Sequence, residues 1–191
     1  MAGDAGVFLR RQLNRGTPTP MRIAIIGNSG SGKTTLARAL AREHDLDMLD
    51  LDTVAWESGK IAVAREPRQA LAQVHGFCTS RSHWVVEGCY AGLTRAALGE
   101  ADLLLFLDPG AAACRANCHS RPWEPHKFRS HEEQNRHFDH LLEWVDAYYV
   151  RGGDASLREH QALFDAFDGR KSRLTRRVSA AAISSLCLQT N

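Results

Sequence analysis

The stretch from Met21 to Ala41 constrains this chain more than any other, because it joins a strand, a glycine-rich turn and a helix in one short unit. Arg22-Ile23-Ala24-Ile25-Ile26 is an apolar, β-branched run of the kind buried in a sheet. Thr35-Leu36-Ala37-Arg38-Ala39-Leu40-Ala41 consists of strong helix formers with its apolar positions on one stripe. Between them stands Gly27-Asn28-Ser29-Gly30-Ser31-Gly32-Lys33-Thr34. Its glycines let the backbone curl tightly enough to aim several N–H groups at one anion, and the positive end of the following helix dipole adds to the attraction. In this pattern Lys33 reaches the β- and γ-phosphates of a nucleotide, and Thr34 offers its hydroxyl to Mg²⁺. The unit is a phosphate-binding P-loop, with Gly27 through Thr35 as the expected nucleotide contacts.

The rest of the chain repeats strands and helices in alternation. Asp47-Met48-Leu49-Asp50-Leu51-Asp52 reads as a short strand ending in carboxylates, and Trp84-Val85-Val86-Glu87 as a strand turned by Gly88. Leu103-Leu104-Leu105-Phe106-Leu107-Asp108, stopped by Pro109, reads as a strand buried on both faces. A weaker last strand is expected over Arg173 to Val178, with a short helix from Ala180. Helices are expected over Pro67 to Phe77, Ala111 to Cys118, Phe138 to Tyr149 and Leu157 to Phe167. Such alternation means parallel pairing with right-handed crossovers, hence a three-layer α/β domain. Ligands in these folds bind at the carboxyl ends of strands, so Gly27, Asp52, Glu87 and Asp108 can converge on one crevice.

At 191 residues the chain suits one such domain, over 21–191. The breaker Thr17-Pro18-Thr19-Pro20 separates residues 1–20 as a flexible extension. Arg10, Arg11 and Arg15 against Asp4 account for the whole formal charge of +2, leaving the domain balanced. That balance lacks the basic footprint of a nucleic-acid binder. No apolar run is long enough to span a bilayer, and five scattered cysteines beside a nucleotide site fit reduced thiols in the cytoplasm.

Beyond the P-loop, Leu51-Asp52-Thr53-Val54-Ala55-Trp56, Trp84-Val85-Val86-Glu87-Gly88-Cys89-Tyr90 and Ala101 to Asp108 resemble the nucleotide-kinase-like branch of P-loop proteins, which includes adenylate, shikimate and gluconate kinases. Within it the segments look most like the small bacterial adenylate-kinase-like or DNA topology modulation proteins. The resemblance implies a five-stranded parallel sheet in the order 2-3-1-4-5 and a helical lid over roughly 115–150. It also implies phosphoryl transfer from Mg²⁺–ATP to a nucleoside monophosphate or a similar small acceptor. Asp52 then takes the acceptor's proton or holds Mg²⁺ through water, and Asp50 pairs with it on one strand face as in the Asp-x-Asp of shikimate kinases. Asp108 matches the second acidic motif, on the metal. Glu87-Gly88 stands where relatives carry Asp-Gly beside the acceptor. Arg65 and Arg95 fall where acceptor-binding arginines lie, Arg121 in the lid is a catalytic clamp, and Trp56 walls the acceptor pocket.

The lid departs from that pattern. Cys114 and Cys118 lie on one face of an Ala-rich helix and read as small core residues, without the closely paired cysteines of zinc-stapled lids. No Asn-Lys-x-Asp guanine motif appears, which favours ATP, and the lack of a Leu-Ser-Gly-Gly segment sets transporter ATPases aside. Two alternatives stay open. One is a kinase for a non-nucleotide metabolite, kept alive by Asp50 and Asp52; the other is a regulatory or DNA-associated nucleotide-binding protein, against which the neutral domain argues.

Overall fold

Five parallel strands form the sheet, in the order β2-β3-β1-β4-β5. The computed structural model describes residues 21–57, 63–120, 130–136 and 138–183. The strands are β1 (Met21–Gly27), β2 (Asp47–Asp50), β3 (His83–Gly88), β4 (Leu103–Leu107) and β5 (Arg170–Leu174). The central three are the most apolar because helices cover both of their faces, whereas β2 and β5 are edges and carry the charged residues.

Alternation along β1 and β4 divides the core. Ile23, Ile25, Leu103 and Leu105 face α1 (Lys33–His44), where Leu36, Ala37 and Leu40 meet them. Ala24, Ile26, Leu104 and Phe106 face the other way, toward Ala91 of α4 (Ala91–Leu98) and Leu163 of α8 (Leu157–Ala166). Beside them α3 (Pro67–Thr79) packs Val74 and Cys78 on Trp84 and Val86 of β3. Its start is set by Pro67 in the first turn and by Glu66, whose side chain accepts from the Gln69 N–H. The remaining helices are α2 (Asp52–Ala55), α5 (Ala111–His119), α6 (His131–Arg136) and α7 (Phe138–Ala147).

Two expectations need correction. The last strand runs Arg170–Leu174 rather than from Arg173, because pairing with β4 in the register Leu103↔Arg170 through Leu107↔Leu174 supplies its hydrogen bonds while its charges stay at the open edge. Asp50 and Asp52 do not share a strand face. The chain leaves the sheet after Asp50, whose Oδ1 accepts from the Asp52 N–H at 2.9 Å, and Asp52 opens α2. Residues 1–20 lie outside the described residues, as do Arg121, Trp123, His126 and Arg129 within the expected lid. Among the described residues no helix is long and apolar enough to cross a membrane.

Candidate active site

The P-loop is clamped from outside by helices that the sequence assigned to the lid. Gly30 has φ +77° and lies so close to α5 that a Cβ there would stand 2.3 Å from the Cys114 carbonyl oxygen. Asn117 of α5 donates to the Gly30 carbonyl at 2.8 Å. The buried Asn28 amide donates to the Val145 carbonyl of α7 at 2.8 Å, and its Oδ1 accepts from the Ser29 N–H. Cys114, Cys118, Leu142 and Val145 make the apolar cluster behind this contact, as expected for the two cysteines. Lys33 is 8% exposed and folds back over the loop, its Nζ donating to the Asn28 carbonyl at 2.9 Å. The Ser31 hydroxyl is buried with no partner. A buried ammonium on a backbone carbonyl and an orphaned hydroxyl in one glycine-rich loop both fit a phosphate group as the missing partner.

Beyond the loop the site turns acidic. Thr34, at the start of α1, donates its hydroxyl to Glu87 Oε1 at 2.7 Å. Glu87, one residue before the end of β3, is 2% exposed and stands opposite Asp50 across the β2–β3 ladder. Burial pushes its carboxyl above the usual carboxylate range; Lys33 opposes this, Asp50 adds to the rise, the Thr34 hydrogen bond opposes it and Asp52 adds to it. Thr34, Glu87, Asp50 and Asp52 offer hard oxygen donors, which suit Mg²⁺. Asp108 lies on the other side of β1. It accepts from the Tyr149 hydroxyl at 3.1 Å and is ion-paired with Arg173 of β5. The acidic partner of Thr34 is Glu87, while Asp108, expected on the metal, meets Tyr149 and Arg173 on the other side of β1.

Beside α2, Tyr90 donates its hydroxyl to Asp52 Oδ1 at 2.8 Å and accepts from Trp56 Nε1 at 2.8 Å. Burial and the Asp52 charge keep the Tyr90 phenol protonated. Gly88 is required where it stands, since a Cβ would meet Leu51 Cβ at 2.7 Å, and Leu51 leads into α2. Arg65 does something other than face an open pocket. Its Nε donates to the Val54 carbonyl at 2.9 Å and its Nη2 to the Trp56 carbonyl at 3.0 Å, so it ties down the carboxyl end of α2. Arg95 is exposed in the last turn of α4.

Three residues here were missed as site components. Tyr90 stood in a noted segment without a role. His160 is wholly buried on α8; the Cys89 carbonyl only accepts, so Nε2 donates to it at 2.9 Å and Nδ1 takes the Tyr148 hydroxyl at 2.8 Å. Burial lowers its pKa to about 4. The available signal was a polar residue three positions before Leu163, on the buried stripe of a helix. Arg151 stacks over the Trp144 ring at 3.5 Å and donates to the Ala155 carbonyl at 2.9 Å. Nothing in the local sequence marks it.

Comparison with known proteins places the chain in a family. No curated protein matches the chain. A sugar kinase from Janibacter sp. is similar in fold, with a TM-score of 0.50 at 15% identity, covering 87% of this chain and 92% of its own. Shikimate kinase from Acinetobacter baumannii aligns with a TM-score of 0.49 at 18% identity, covering 90% and 93%. A gluconokinase from Sinorhizobium meliloti gives 0.49 at 17%, covering 89% and 90%. The family model described as ABC transporter matches residues 11–160, which corrects the setting aside of that family for want of a Leu-Ser-Gly-Gly segment. With most of its length under that model, the chain belongs to the P-loop NTPase family that it describes.

Proposed function

We propose that the protein is a Mg²⁺–ATP-dependent phosphotransferase that moves the γ-phosphoryl group of ATP to a small acceptor held at the carboxyl ends of β2 and β3. One observation carries this reading. Lys33 and the orphaned Ser31 hydroxyl line the P-loop, while Thr34 touches Glu87 at 2.7 Å with the carboxylates of Asp50 and Asp52 acting on the same group. A phosphate cradle thus opens directly onto an acidic acceptor side. The fold shared with the Janibacter sugar kinase agrees with this class.

Positioning and charge neutralisation dominate phosphoryl transfer. Lys33 exchanges its bond to the Asn28 carbonyl for phosphate oxygens, and the Ser31 hydroxyl gains its missing partner. Bound Mg²⁺ would be held by Thr34, with Glu87 and the neighbouring carboxylates behind it, and supplies neutralisation of the phosphate charge. Asp52 faces the acceptor and takes its proton. Arg121, from the expected lid, would clamp the transferring group in a cytoplasmic enzyme, while α5 and α7 hold the P-loop from outside. Both acceptor classes implied by the resemblance, a nucleoside monophosphate and a non-nucleotide metabolite, fit this scheme.

The test is ADP formation from Mg²⁺–ATP across a panel of acceptors, with products identified by mass. Transfer to one acceptor that is lost in Lys33→Ala supports the reading. ATP bound without turnover for any acceptor would replace it with a regulatory role.

A further inference from the structure

We infer that Asp154, on the turn between α7 and α8, is a positioning residue of this site: it holds the segment that carries Tyr90, and so sets where Asp52 and Trp56 stand. The inference deepens the proposed phosphotransferase reading and rests on it for the effect on turnover.

Tyr90 occupies the N-cap of α4, yet its side chain makes no cap there. Capping positions favour Ser, Thr, Asp and Asn, whose short side chains turn back onto the first free N–H groups of the helix. The Tyr90 phenol is directed elsewhere, donating to Asp52 Oδ1 and accepting from Trp56 Nε1. The bare N–H groups are met instead by a distant part of the chain. Asp154 Oδ1 accepts from the Gly92 N–H at 2.7 Å, and the Asp154 carbonyl accepts from the Ala91 N–H at 3.2 Å. A carboxylate at this end of a helix also suits the helix dipole.

The turn is built to present that residue. Gly153 has φ +89°, a conformation that side-chain-bearing residues rarely adopt, and its carbonyl accepts from the Ser156 N–H at 3.2 Å. Ser156 is buried and caps α8 by accepting from the Glu159 N–H. On the other flank of Tyr90, His160 of α8 holds the Cys89 carbonyl at 2.9 Å. Tyr90 is thus gripped before and after by residues 154–160, and its hydroxyl passes that placement on to Asp52. A cap that served only the helix would change stability alone. One that positions Tyr90 also changes its hydrogen bond with Trp56 and the rate of turnover.

The experiment follows the indole N–H signal of Trp56 by NMR in the isotope-labelled full chain. Trp56→Phe assigns the signal, and Tyr90→Phe gives its position without the phenol oxygen. In Asp154→Ala the signal is expected to move at least halfway to that position, while the signal of Trp84 in the core stays in place. Asp154→Asn keeps an oxygen for the Gly92 N–H and should keep the wild-type signal. Kinetics use Mg²⁺–ATP and the acceptor that gives the wild type its fastest turnover. Asp154→Ala should lower kcat about fivefold or more with ATP affinity by calorimetry held within about twofold, and Asp154→Asn should restore most of the rate. Where Asp154→Ala fails to fold, Gly92→Ala reads the same contact, since its Cβ would stand 3.2 Å from Asp154 Oδ1 and push the carboxylate away. The Trp56 signal should then move in the same sense. An unmoved Trp56 signal, an unchanged kcat, or a rate lost in step with ATP affinity overturns the inference and leaves the phosphotransferase standing. A wild-type chain that turns over no acceptor removes the phosphotransferase, and the Trp56 signal then decides by itself whether Asp154 positions Tyr90.

Discussion

The P-loop half and the carboxylate half of this site are built from different material. On the P-loop side the lining is mostly backbone, and the loop is held from behind by amide contacts of Asn28 and Asn117 to carbonyls of neighbouring segments. On the carboxylate side the lining is of side chains: Asp52 from α2, Tyr90 from the turn after β3, and Trp56 at the end of α2. A backbone site needs a few glycines in a fixed order and tolerates little change. A side-chain site can be retuned one residue at a time while its scaffold stays put, which is how one fold comes to serve many acceptors.

The largest difference between the halves should appear in kinetics. Lys33→Ala is expected to abolish turnover, by about 10²-fold or more, and to weaken ATP binding as well, because the ammonium serves both ground state and transition state. Asp52→Asn should lower kcat by a similar factor while calorimetry shows ATP affinity little changed. If Asp52→Asn lost ATP affinity as Lys33→Ala does, the division into halves would fail. Stability should separate them next. Gly30→Ala forces a left-handed φ of +77° on alanine and drives its Cβ to 2.3 Å from a backbone oxygen that cannot move alone. Urea unfolding should show a loss of about 3–5 kcal/mol. At Gly88 the obstacle is the Leu51 side chain, at 2.7 Å, and Gly88→Ala should cost about 1–3 kcal/mol.

The same contrast explains what the sequence could and could not disclose. The P-loop was legible residue by residue because its chemistry lies in eight consecutive positions. The sheet was legible because buried strands such as Leu103–Leu107 are apolar throughout. Glu87 as partner of Thr34 was not, since the hydrogen bond joins residues 53 positions apart and no local pattern marks it. Arg65 was assigned to the acceptor by its place in the chain, yet its donors go to carbonyls nine to twelve residues earlier. The edge strand β5 was misplaced because its charges hide the period that marks a buried strand.

His160 tests whether the carboxylate half depends on distant packing. It holds the Cys89 carbonyl, just beyond Glu87 and Gly88, from the far helix α8. Its pKa is about 4 in the folded state against 6.5 in the unfolded chain, so the unfolded state binds the proton first. The stability it contributes is complete above pH 6.5 and is lost as pH falls toward 4, amounting to about 3 kcal/mol. Urea unfolding of the wild type and His160→Gln across pH 4–7 should show the variant with a flatter profile by that amount.

The smallest effect concerns Glu87, and its sign is the informative part. Burying a carboxylate at 2% exposure disfavours its charge, and Asp50 and Asp52 add to the penalty. Glu87→Gln removes that charge, while the amide oxygen still accepts the Thr34 hydroxyl. Without nucleotide, the variant should therefore unfold at a slightly higher temperature than the wild type and turn over ATP more slowly. Adding Mg²⁺–ATP should raise the wild-type midpoint more than the variant's and narrow or reverse the gap, because a cation at the site relieves the repulsion among the three carboxylates. A variant less stable than wild type in the absence of nucleotide would mean that Glu87 is a structural acid satisfied by Lys33 and Thr34, and that the acidic half of the cleft is not held in readiness for a metal.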